Sequence, residues 1–216
     1  MTHCIAAGCS TNALFGTLCR THADRRSKHG HPTVTPIDRR EVRPFADVVR
    51  QEMNRTGVKK DIDAYFAKMK EEQQAIVDDM NATGVGMLDR YYAAIDFVDA
   101  TGDGTDQVLV DLLCLGWYIQ LNDKRFPNQE SIAIASARAL RWSLHKGTVR
   151  TLRKTGAIDV SKRYLKASAL RHLGSTLVPT LVSFGYAMAK TWREREVEKT
   201  ELKHNIMQTI TKGEAA

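Results

Sequence analysis

The sequence predicts a mainly α-helical protein that opens with a small knot of cysteines and histidine. Three observations predict it. Apolar residues recur at helical spacing through most of residues 46–212. No stretch shows the strict apolar–polar alternation of a half-buried strand. Three of the four cysteines and one histidine crowd into residues 4–22. The chain has 216 residues, 43% hydrophobic and 26% charged. That composition is globular, and that length suits one sizeable domain with a small appendage. Only five prolines and 7% aromatic residues exclude a collagen-like or proline-rich linker protein.

The knot spans residues 1–31 and reads Cys4-x4-Cys9-x9-Cys19-x2-His22. No secretory signal is expected at the start, and three local cysteines leave one unpaired. A disulfide framework is therefore not expected. Zinc takes four tetrahedral thiolate and imidazole ligands, which these four residues supply. Cys19 and His22 are three apart and suit one face of a first helical turn. Gly8 lets the Cys4–Cys9 segment turn tightly. Phe15 and Leu18 are expected to form an apolar floor beneath the metal. His3, His29 and His31 compete for the fourth ligand position, and His22 ranks first on spacing. A segment this short buries too little core to fold alone, so a structural metal would supply the stability.

The stretches Cys4-Ile-Ala-Ala-Gly-Cys9, Gly16-Thr-Leu-Cys19-Arg-Thr-His22, Arg25-Arg26 and His29-Gly-His31-Pro32 carry a likeness. Residues 4–32 resemble the zinc module at the start of many phage HNH homing endonucleases and related DNA-binding proteins of phages and mobile elements. The resemblance implies that Cys4, Cys9, Cys19 and His22 bind zinc, and that Arg20, Arg25, Arg26 and Lys28 face nucleic acid. It does not extend to the nuclease core. Beyond His31 the histidines are His145, His172 and His204, each isolated from any partner a metal nuclease needs.

Residues 32–45 hold Pro32, Pro36 and Pro44 and read as an extended tether. The helical domain follows over 46–216. Helices are expected at Ala46–Asn54 and Lys60–Met80, the latter ended near Gly84. Further helices are expected at Met87–Val98 and Val108–Leu121. The last of these is apolar all round, with Leu109, Leu112, Leu113, Leu115 and Trp117, and is expected to form the central core helix. Asp99–Asp106 resembles a calcium loop, but Val110 stands where a bidentate acid is required, so an ordinary turn is expected. Leu173–Ala189 is apolar but interrupted by Gly174, Pro179 and Gly185. It reads as a buried helix or a broken pair, not a membrane span. Thr191–Thr211 reads as a final helix suited to a protein partner or to self-association.

Charge is segregated. Residues 1–60 carry 11 Lys and Arg against 5 acids, residues 61–130 carry 5 against 14, and residues 131–216 carry 16 against 6. The densest run, 138–171, includes Arg138, Arg141, Lys146, Arg150, Arg153, Lys154, Lys162 and Arg163, with Trp142 interleaved. Such a run neutralises phosphates, and aromatic rings within it can stack on bases. Gln129–Ala133 and Lys146–Ile158 resemble the two halves of a degenerate winged helix-turn-helix, with Thr148 opening the recognition helix, but two spacings differ from the motif, so a plain helical basic face is the first reading. The sequence thus points to a non-enzymatic, zinc-containing nucleic-acid-binding protein of a phage or mobile element. It would act in the cytoplasm on DNA rather than RNA, in transcription, replication or packaging. A protein adaptor is the alternative, and a divergent metal-dependent nuclease ranks last because no acid–base constellation is visible.

Overall fold

The computed structural model describes residues 3–84, 86–102, 105–142, 148–152, 158–162, 165 and 167–213. Most of them are helical. After the knot comes α1 (Arg20–His29), then the short α2 (Arg39–Val42) and a 3-10 turn at Arg43–Phe45. The main body is α3 (Ala46–Thr56), α4 (Lys59–Thr83), α5 (Leu88–Ala100), α6 (Thr105–Leu121) and α7 (Gln129–Arg141). It closes with α8 (Ala167–Leu177) and α9 (Ser183–Gly213), joined by a π-helical turn at Val178–Val182.

The expected core helix is the core helix. Every residue from Val108 to Ile119 is buried. Trp117, the largest of these side chains, is 1% exposed and packs its ring against Trp192 of α9 at 5.6 Å between centroids. Helix α6 lies along α9 and also touches α3, α7 and the π turn. Helices α4 and α5 form an antiparallel pair outside this centre, joined to it through Ile62, Phe66, Met69 and Phe97. The apolar run 173–189 is a broken pair: α8 leads into the π turn at Pro179, and α9 continues from it. Proline has no amide to donate into a regular helical turn, and a π turn accommodates that loss. Among the described residues, no helix is long and apolar enough to cross a membrane.

Two expectations need correction. The segment 32–45 is not an extended tether. Val34 and Val42 are buried, Ile37 and Phe45 pack on the core, and Asp38 and Glu41 cap α2 with a reciprocal box. Arg125 straps the segment down by donating to the Pro36 carbonyl at 3.0 Å and to the Glu41 carboxylate. Those four apolar side chains gain more from burial than the prolines impose in stiffness.

Nor do the described residues of the expected recognition helix form one. Thr148–Leu152 is a strand, β1, paired antiparallel with β2 (Ile158–Lys162), with Thr148 opposite Lys162 and Leu152 opposite Ile158. Thr148, Val149, Thr151, Ile158 and Val160 are β-branched and lose less side-chain freedom in a strand than in a helix. The supporting helix of the proposed motif does form, as α7, but it runs eight residues further than Ala133, to Arg141.

Candidate metal centre and cationic surface

The knot is built from turns. Cys4 N–H donates to Thr11 O at 3.0 Å, Ile5 N–H to Thr17 O at 3.0 Å, and Cys9 N–H to Ala6 O at 3.1 Å. Gly8 closes the last of these turns at φ +75°, a conformation that side chains with a Cβ rarely adopt. The chain then doubles back through a Phe15–Leu18 turn and enters α1 with Cys19 as its N-cap. His22 falls one turn into α1, so its ring meets the sulfurs, as the spacing predicts.

Cys4, Cys9, Cys19 and His22 converge. Their ligand atoms all lie within 4.8 Å of one another. His22 Nδ1 is 3.3 Å from Cys4 Sγ and 3.3 Å from Cys19 Sγ, and Cys9 Sγ is 3.9 Å from Cys19 Sγ. A tetrahedral ZnS3N centre with ordinary bond lengths has S···S edges of about 3.8 Å and S···N edges of about 3.5 Å. These three distances lie within about 0.2 Å of those values. All four cysteines are free thiols, and 3.9 Å is almost twice a disulfide bond of about 2.05 Å. The competitors are placed elsewhere. His3 is exposed and pairs its backbone with Asn12, His31 Nδ1 bonds the Thr33 hydroxyl at 3.0 Å, and His29 is buried against α7.

The electrostatics favour a cation. The Thr11 side chain and backbone stabilise the Cys9 thiolate and bring that thiol down to about 6. The His22 backbone amide pulls Cys19 the same way, but desolvation and the neighbouring thiols outweigh it and hold Cys19 above its ordinary value. Three sulfurs this close cannot all ionise without a positive charge between them.

The floor beneath the sulfurs is Ala6 and Leu18, with Ala23 against them. Leu18 is there as expected. Phe15 is not: it is 58% exposed. Its amide bonds to Leu18, which leaves its side chain on the outer side of a tight turn.

The module docks on the helical body. Gly30 ends α1 at φ +77°, and a Cβ there would stand 2.9 Å from Glu130 Cγ and 3.0 Å from the Ser131 nitrogen. Asn128, which caps α7, donates its side-chain amide to Gly30 O at 3.2 Å, and Arg138 donates to Lys28 O at 2.9 Å. His29 is buried at this junction, and burial, followed by the charges of Arg138, Lys28 and Arg25, brings its imidazole down to about 4. A folded value below the ordinary 6.5 means the unfolded chain binds the extra proton first. Stability from this site is therefore full above pH 6.5 and lost as pH falls towards about 4. Relative to the native chain, a His29→Gln variant is expected to lose less stability over that window, read by urea unfolding at stepped pH.

No known protein family, characterised protein or solved structure matches this chain. The geometry stands by itself.

Of the cationic residues expected on nucleic acid, Arg20 and Arg26 are exposed and Arg25 is half-buried on α1. Lys28 is exposed and pairs with Asp24 at 2.8 Å. Further along, the assignment changes. Arg141 binds the buried Asp96 carboxylate at 2.8 Å, Arg138 is spent on the module junction, and Trp142 packs half-buried against the core. These three serve the fold. Arg150 lies on β1 and Lys162 ends β2, while Lys146, Arg153, Lys154 and Arg163 lie outside the described residues.

The reason is internal pairing that a charge count does not reveal. The acidic middle is answered by cations from both basic ends: Asp96 by Arg141 and Asp111 by Arg39, with acid side chains 3% and 5% exposed. Glu52, also buried, holds Arg55 and Arg195. Removing one partner strands a buried charge. Arg141→Ala is expected to destabilise the protein by about 3 kcal/mol, measured by urea unfolding, and to leave nucleic-acid affinity unchanged once the protein is folded.

Proposed function

We propose that this chain is a zinc-containing, non-enzymatic nucleic-acid-binding protein of a phage or mobile element. The observation that carries this reading is the junction of metal site and cationic helix. The Cys4, Cys9, Cys19 and His22 cluster supplies a tetrahedral donor set whose softness suits zinc. Two of its ligands begin α1, whose cations Arg20, Arg25, Arg26 and Lys28 face a single acid, Asp24. Zinc would act structurally, fixing the start of α1 so that those guanidinium groups are held rather than swinging on a loose chain. The β1–β2 hairpin, with Arg150 and Lys162, is the second cationic element. Two linked weak contacts on one polyanion gain affinity through effective concentration.

The test is a salt titration of binding to duplex DNA, single-stranded DNA and RNA, with and without a zinc chelator. Binding at low salt, a log–log slope set by a handful of phosphate contacts, and loss of affinity on chelation are expected. Absence of binding to all three at low salt overturns the reading. It would also turn the balance to a protein adaptor, which the intramolecular use of Arg138 and Arg141 favours.

A further inference from the structure

The knot displays an apolar surface that its own fold does not use. Ile5 is 71% exposed, Leu14 71% and Phe15 58%. Single exposed apolar residues are ordinary on a protein surface. Here three come from one small knot whose backbone ties them together. Ile5 N–H bonds Thr17 O, and the Leu14 and Phe15 amides both bond Leu18 O. The three residues thus sit beside the same Phe15–Leu18 turn. Next along the chain is the exposed Arg20, then Arg26 further down α1. The one acid in residues 1–31 is Asp24, already held by Lys28.

Phosphate contact needs cations and gains nothing from a phenyl ring. An apolar tip followed along the chain by the exposed Arg20 and Arg26 instead fits a ligand that is flat and apolar in one part and anionic in another. An unpaired nucleotide has that character. In a duplex the base faces are hidden in the stack, whereas in a single strand or an open loop they are free to stack on an aromatic side chain. We propose that the Ile5, Leu14 and Phe15 tip of the knot is a docking point for unpaired nucleobases, with Arg20 and Arg26 on the adjoining phosphates, so that the preferred ligand is single-stranded. This inference rests on the nucleic-acid-binding reading above and narrows its substrate class. It also moves base stacking away from Trp142, which is engaged in the core.

The experiment uses the full chain with zinc bound, and fluorescent oligothymidylate beside a duplex of equal length, followed by anisotropy at fixed salt. The expected result is tighter binding of the single strand. Phe15→Ala should weaken oligothymidylate binding about tenfold while leaving duplex affinity and the salt slope unchanged, and Phe15→Tyr should restore it. Phe15 is exposed, so Phe15→Ala should keep its zinc content and circular dichroism, both measured alongside. Equal affinity for both probes, with Phe15→Ala changing neither, overturns the inference and leaves the broader reading intact. No binding of either probe overturns both. A Phe15→Ala protein that changes oligomeric state but not affinity also overturns it, and assigns the tip to protein contact.

Discussion

Cys19→Ser is expected to empty the metal site and unfold the amino-terminal knot while the helical body stays folded. The knot has almost nothing else to hold it. Its buried core is Cys4, Ala6, Leu18 and Cys19, so half of the core consists of candidate metal ligands. Apparent zinc-binding free energies in small zinc modules are about 10–16 kcal/mol, far above what two small apolar side chains contribute. Cys19 is the most consequential of the four, because it is a candidate ligand, a buried residue of the knot and the N-cap of α1 at once. Metal analysis should fall from one zinc per chain to none. Amide exchange should speed up strongly over residues 3–22 and much less beyond Gly30, where Asn128 and Glu130 grip the end of α1. The thermal transition of the body should move by only a few degrees. Cys114→Ser is the control. That thiol is buried in α6 and burial pushes it up to about 12, so it is un-ionised at neutral pH and should leave zinc content untouched. Full zinc retention in Cys19→Ser would sink the assignment.

The clustering of Cys4, Cys9, Cys19 and His22 is legible because their spacing is local. Cys19 and His22 sit three apart on a helix, and Gly8 marks the turn that returns Cys9 to Cys4. Spacing alone encodes such a site. The core helix was legible for a similar reason, since a segment apolar on every side has nowhere to go except inside. What was not legible depends on distant partners. Nothing near Arg141 in sequence shows that Asp96 waits for it in the interior, so a run of cations read as a solvent-facing patch. Nothing near Pro36 shows that Arg125 will clamp it. Phe15 illustrates the opposite limit. An apolar residue is usually expected inside, but the floor beneath the sulfurs is filled by Ala6, Leu18 and Ala23. The hairpin is not legible because its strands are five residues each, too short for alternation to stand out, and because a Gly-Thr-Val run also suits a helix start.

Gly116→Ala and Gly185→Ala are each expected to destabilise the protein by about 3 kcal/mol or more, the upper end of the overpacking range. The usual expectation has the opposite sign, because alanine is better than glycine in a helix interior by about 1 kcal/mol. Contact geometry decides which effect wins. A Cβ on Gly116 would sit 2.0 Å from Val182 O and 2.8 Å from Tyr186 N, and a Cβ on Gly185 would sit 2.1 Å from Leu113 O. The obstacles are backbone atoms, which no rotamer change can move aside. Relief requires α6 and α9 to separate, and α6 is the helix on which most of the core rests, including the Trp117–Trp192 contact. Urea unfolding should show a lower midpoint with an unchanged slope for each variant. Both glycines relieve the same crossing, so once one alanine has pushed the helices apart, the second should cost less. The double variant is therefore expected to fall short of the sum of the two by at least about 1 kcal/mol. A neutral or stabilising Gly116→Ala would mean that the two helices do not meet backbone to backbone, and the packing described for the centre of the fold would have to be redrawn.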